Sequence, residues 1–83
     1  MSSKEIVVGN VEKKHDNPIA ELVQVACRFE STIMLESEKR SINAKSIMGI
    51  MAFNPSSGMR INIVVEGEDE DEALDTVAGF LAC

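Results

Sequence analysis

Thr32-Ile-Met-Leu-Glu36, a polar stretch from Ser37 to Arg40, and Ser41-Ile-Asn-Ala44 decide the fold. Ile33 and Leu35 fall on one face of the first segment, and the second segment continues the alternation after the polar turn. A period of two is that of a half-buried strand, so the stretch predicts a β-hairpin. Working outward, Met59-Arg-Ile-Asn-Ile-Val-Val65 alternates through Ile61, Ile63 and Val65 and predicts another strand. Glu5-Ile-Val-Val8 is short and β-branched, and predicts the first strand. Gly9 to Asn17 reads as a polar connection.

The intervening segments carry helical spacing. Pro18 suits the first turn of a helix, where its missing N–H costs nothing. Ile19, Leu22, Val23, Ala26, Cys27 and Phe29 then form a stripe, predicting a helix from Pro18 to Phe29. Ser46 stands directly before Ile47-Met-Gly-Ile-Met-Ala-Phe53 as an N-cap, and Asn54-Pro55 ends that helix early. Gly67 turns the chain into a last helix, with acidic residues Asp69 to Glu72 on its positive end. Ala73, Leu74, Val77, Ala78 and Leu81 supply its apolar stripe. The order β-α-β-β-α-β-α predicts an α+β fold, a four-stranded antiparallel sheet with three helices on one face. The other face meets water through Glu36, Arg60, Asn62 and Val64.

Eighty-three residues make a single domain, 1–83, whose folding hides only about 60% of its unfolded surface. Hydrophobic residues at 45% and charged residues at 27% fit a soluble globular chain. A net charge of −6 argues against nucleic acid, which selects basic surfaces, and against anionic lipid. No apolar run approaches the roughly 20 residues of a membrane span. No apolar stretch follows a basic start, so the expectation is a cytoplasmic protein without membrane insertion. Cys27 and Cys83 have no second nearby cysteine, and one histidine cannot complete a zinc site with them. Cys27 therefore reads as a small hydrophobe inside and Cys83 as an exposed tail thiol, with neither metal nor cofactor expected.

Phosphate-binding loops and dinucleotide fingerprints are absent from the sequence. The run Glu66-Gly-Glu-Asp-Glu-Asp-Glu72 lacks the spaced ligands of a calcium loop and reads as a solvated helix start. Met48 and Met51, three apart beside Ile47, read first as core and second as an adaptable partner surface. His15 lies just before a helix opening, where free N–H groups and the dipole stabilise an anion on the ring. It is either a surface histidine without a role or a phosphoryl acceptor. Ser46 is either a structural cap alone or a cap that doubles as a phosphorylation switch.

His15-x-x-Pro18, and above all Asn43-Ala-Lys-Ser-Ile-Met-Gly-Ile-Met-Ala52, resemble the HPr family, phosphocarriers of the bacterial phosphoenolpyruvate:sugar phosphotransferase system. Leu22-Val-Gln24, Phe29 and Gly67-Glu-Asp-Glu-Asp-Glu-Ala-Leu74 support the resemblance, which runs over essentially the whole chain. It implies an open-faced β-sandwich and a phosphoryl carrier rather than a stand-alone enzyme. It implies that His15 accepts phosphoryl from Enzyme I and passes it to sugar-specific permease components. Ser46 becomes the target of an HPr kinase/phosphorylase using ATP, and phospho-Ser46 the ligand of a catabolite-control repressor. The resemblance also places phosphate or partner contacts at Asp16, Asn17, Pro18, Glu21, Gln24, Ile47, Met48 and Met51.

One segment departs from the family pattern. The usual loop reads Gly-apolar-His-Ala-Arg-Pro, whereas this chain has Lys13-Lys14-His15-Asp16-Asn17-Pro18. An arginine bond to phosphate is worth roughly 1.5–3 kcal/mol, of which the Asn17 amide recovers only part. Asp16 adds repulsion on the order of 1 kcal/mol toward a phosphoryl group, and Glu21 points the same way. Lys13 and Lys14 offset this only as flexible point charges. The expected penalty is about 2–3 kcal/mol, roughly thirty- to a hundred-fold in phosphohistidine stability or docking. A second reading follows: a regulator similar to Crh, which keeps the serine, lacks the histidine and acts through the repressor.

Overall fold

The computed structural model describes residues 1–38 and 40–82. The elements are β1 (Ser2–Val7), α1 (Val11–Lys14), α2 (Pro18–Ala26), β2 (Thr32–Ser37), β3 (Arg40–Asn43), α3 (Ile47–Phe53), β4 (Arg60–Glu66) and α4 (Glu70–Leu81). The strands form one sheet in the order β1-β4-β2-β3, each neighbouring pair antiparallel. Register follows the alternation. Ile6 faces Ile61, Leu35 faces Ile63, and Ile33 faces Val65, so one face carries the apolar set. On the opposite face a polar row crosses the sheet through Glu5, Asn62, Glu36 and Ser41. The helices cover the apolar face alone, α4 lying on β1 and β4 while α2 packs on α3 and α4. Leu22, Ile50, Phe53 and Leu81 close the core over Ile33, Leu35, Ile61 and Ile63, all essentially buried. No described helix is long and apolar enough to cross a membrane.

Three expectations change. The polar connection from Gly9 to Asn17 contains the one-turn helix α1, anchored by buried Val11. The helix expected over Pro18 to Phe29 ends at Ala26, where the chain tightens into bonds from Arg28 and Phe29 N–H to the Val25 and Ala26 carbonyls. Cys27 is therefore the C-cap residue, past the last turn of the stripe, and is exposed rather than buried. Cys83 lies outside the described residues.

The acidic run is more than a solvated helix start. Asp69, the α4 N-cap, turns away from its own helix and accepts the N–H groups of Glu30 and Ser31, each at 3.0 Å, together with the Ser31 hydroxyl. Those bonds, the Ser31 hydroxyl foremost, hold the Asp69 carboxyl below the usual aspartate range. Glu70 is likewise lowered, first by the Ser2 hydroxyl, which donates to it at 2.6 Å. Ser31 is the one buried polar residue beneath this clasp among the described residues, and Gly67 passes directly over it.

Candidate functional site

His15 sits between two helices. Its N–H donates to the Val11 carbonyl at 2.9 Å, closing α1, and its extended backbone (φ −133, ψ 138) leads into α2. The ring stacks on Phe80 of α4, centroids 4.0 Å apart and planes within 15°. That contact fixes the ring plane and leaves an edge open, the side chain being 24% exposed. Nδ1 faces the start of α2, with Glu21 Oε1 at 3.3 Å.

The start of α2 is built by its own side chains. Asn17 is the N-cap, its Oδ1 accepting from Ala20 N–H at 3.4 Å, and Pro18 occupies the first helical position. Glu21 Oε2 accepts from Asn17 N–H at 3.0 Å. This is a capping box displaced by one residue, the Asn17 amide oxygen and the Glu21 carboxylate each satisfying a free donor. His15, Asn17, Pro18 and Glu21 thus meet at one point. Asp16 is exposed beside them, and Gln24 is exposed one turn further along the same side of α2. Lys13 and Lys14 are exposed in the last turn of α1 and pair with no carboxylate among the described residues.

Ser46 forms a separate centre. Its Oγ accepts from Gly49 N–H at 3.2 Å and caps α3, as expected from its place before the apolar run. Asn43 Oδ1 accepts from Lys45 N–H at 2.8 Å, and the Lys45 ammonium donates to the Phe29 carbonyl at 2.7 Å. This end of α3 thus lies at the C-terminal end of α2, away from His15. The far end of α3 returns toward the other site: Asn54 and Pro55 share a depression with Pro18, Ile19 and Phe80. Between them Ile47, Met48 and Met51 are 48%, 79% and 59% exposed, so the methionines are surface and not core. Ile50 and Phe53 supply the buried side of that helix instead.

Two features escaped the sequence reading. Phe80 shows only as one residue in the α4 segment, and its approach to His15 is a tertiary contact without local signal. Asn17 carried its signal openly, since Asn-Pro is a standard cap and first position. Among the described residues no group of three His, Cys, Asp or Glu side chains is placed to hold a metal ion.

Comparison with known proteins places this chain in a family of phosphocarriers. A family model described as the PTS HPr component phosphorylation site matches residues 2–82, and the chain belongs to the HPr family. It is 44% identical over 77 residues to the phosphocarrier protein HPr of Treponema pallidum, covering 93% of this chain and 88% of that protein. It is also 44% identical over 64 residues to the HPr-like protein Crh of Bacillus subtilis, covering 77% of this chain and 75% of Crh. The crystal structure of a phosphocarrier protein HPr from Bacillus anthracis superposes with a TM-score of 0.88 at 38% identity, covering 96% of this chain and 95% of that one. The four-stranded open-faced architecture is thus that of the family.

Proposed function

We propose that this chain relays phosphoryl groups through His15, from Enzyme I to sugar-specific permease components, in the cytoplasm. The observation that carries the reading is Nδ1 of a partly exposed imidazole turned toward the start of α2. A helix N-terminus stabilises an anion on that nitrogen, and imidazole is a nucleophile near neutral pH. The transfer needs no metal or cofactor. The test is incubation with Enzyme I and phosphoenolpyruvate. The expected result is an acid-labile label on His15, slow to accumulate and absent from His15→Ala. An unlabelled wild-type chain alongside a labelled HPr control overturns the reading.

Ser46 is the regulatory position of the same proposal. A phosphate on its Oγ lies at the α3 N-terminus, flanked by Ile47, Met48 and Met51 as apolar contacts for a kinase or a repressor. An HPr kinase with ATP is expected to label Ser46 faster than Enzyme I labels His15. Ser46→Ala abolishes that label and removes about 1 kcal/mol of stability with the cap. Kinase labelling that persists in Ser46→Ala sinks the assignment. The Crh-like reading, regulation through phospho-Ser46 without relay, is favoured by one observation: a carboxylate, Glu21, already sits against Nδ1.

A further inference from the structure

The Glu21 carboxylate bridges two groups. Oε1 lies 3.3 Å from His15 Nδ1, and Oε2 accepts from Asn17 N–H at 3.0 Å. These are the ring nitrogen and the backbone donor that an anion bound at the start of α2 uses. Asn17 Oδ1 occupies Ala20 N–H, and Pro18 has no N–H to offer. The resting chain therefore places a carboxylate of its own beside its imidazole, against Nδ1 and the Asn17 N–H. The Phe80 stack holds the ring plane, so the ring does not turn freely to present Nδ1 elsewhere.

We propose that Glu21 is a gate on His15, a positioning residue whose carboxylate occupies the phosphoryl seat and swings out before Nδ1 is loaded. The proposal rests on the relay reading. The side chain is 40% exposed, so the contact is bathed in water and is readily broken. As Glu21 leaves, the neutral imidazole tautomer that keeps its proton on Nε2 presents the Nδ1 lone pair. Nδ1 then attacks phosphorus, and the phosphorus–nitrogen bond of the donor breaks. The electron pair stays on the donor nitrogen, which takes up a proton. Once loaded, the phosphoryl group and Glu21 repel each other, so the gate slows loading and shortens the life of the phosphohistidine.

Glu21→Gln tests this, because it keeps the side-chain length and an oxygen for Asn17 N–H while removing the charge. Two donors are used: Enzyme I with phosphoenolpyruvate, and the small donor phosphoramidate. His15 is the one histidine of the chain, so labelled imidazole reports it alone. The expected gain in initial rate is about ten-fold with both donors, from removal of a like charge within contact distance of the incoming group. The phosphohistidine half-life lengthens in the same direction, and NMR of the imidazole nitrogens shows Nδ1 released from its partner. Equal rates in wild type and Glu21→Gln overturn the gate and leave the relay standing. A gain with Enzyme I alone also overturns it, since Glu21 then acts on docking. No label on either form with either donor overturns the relay reading itself, and the gate with it.

Discussion

Gly67→Ala is expected to remove about 2–6 kcal/mol, on the order of half the stability of this domain, by adding one methyl group. Gly67 has φ +153, a region that side chains rarely adopt. A Cβ there would stand 2.7 Å from Ser31 Cα and 2.8 Å from Ser31 Cβ. Those atoms cannot retreat, because Ser31 is buried and its N–H and hydroxyl are held by Asp69. Backbone strain contributes roughly 1–3 kcal/mol and overpacking a similar amount. An 83-residue chain has only about 4–12 kcal/mol to lose. Gly58→Ala is the control, with φ +89 but nothing within 4 Å, and carries the backbone term alone. Urea unfolding read by circular dichroism separates them, since a pure stability change moves the midpoint and leaves the slope. A Gly67→Ala midpoint no lower than that of Gly58→Ala contradicts the steric account. The clasp beneath has its own sign in pH. The Asp69 carboxyl is lowered in the folded state, so its contribution is present above the ordinary aspartate range and lost as pH falls through the folded value.

Asp16→Ala with Asn17→Arg is expected to raise the rate of labelling by Enzyme I about ten-fold or more. It removes a like charge beside the incoming phosphoryl group and supplies a planar donor fork for phosphate and for acidic residues of the partner. The structure adds a cost: Asn17 caps α2 through its Oδ1, and arginine cannot replace that bond. The double variant therefore loses about 1 kcal/mol of stability, which circular dichroism checks. The neighbouring changes share the same helix start, so the single variants need not add to the double. The gain shrinks at high salt, where charges are screened within about 10 Å at 0.1 M. Initial rates of wild type, both singles and the double at two salt concentrations decide the matter. A double variant no faster than wild type shows that the loop substitutions are not what limits transfer, and leaves Glu21 as the obstacle.

What was legible in the sequence followed from repeated local signals. The alternation of Ile33 with Leu35 and of Ile61, Ile63 and Val65 sets the buried face of the sheet, because a slip of one residue would turn all of them to water. Ser46 before an apolar run, and Pro18 at a first helical position, mark helix starts by chemistry that acts within one turn. The hidden parts are those that a local pattern cannot encode. Val11–Lys14 is too short for a stripe. Cys27 lies in register with the α2 stripe, yet the helix stops one residue earlier. Asp69 reads as a helix-start charge, but its partners Glu30 and Ser31 lie 39 and 38 residues away. The site divides the same way. His15, Asn17 and Glu21 are close in sequence and their meeting follows from helical spacing, whereas Phe80 reaches the imidazole only through the packing of α4.

The central claim is that phosphoryl groups pass through His15, and a pulse and chase tests it most directly. The chain is loaded from radiolabelled phosphoenolpyruvate by Enzyme I, freed of the enzyme, and mixed with a sugar-specific permease component. The account predicts an acid-labile label on His15 that leaves for the permease component, with none entering His15→Ala. A chain that takes no label from Enzyme I, yet is phosphorylated at Ser46 by an HPr kinase, contradicts the relay.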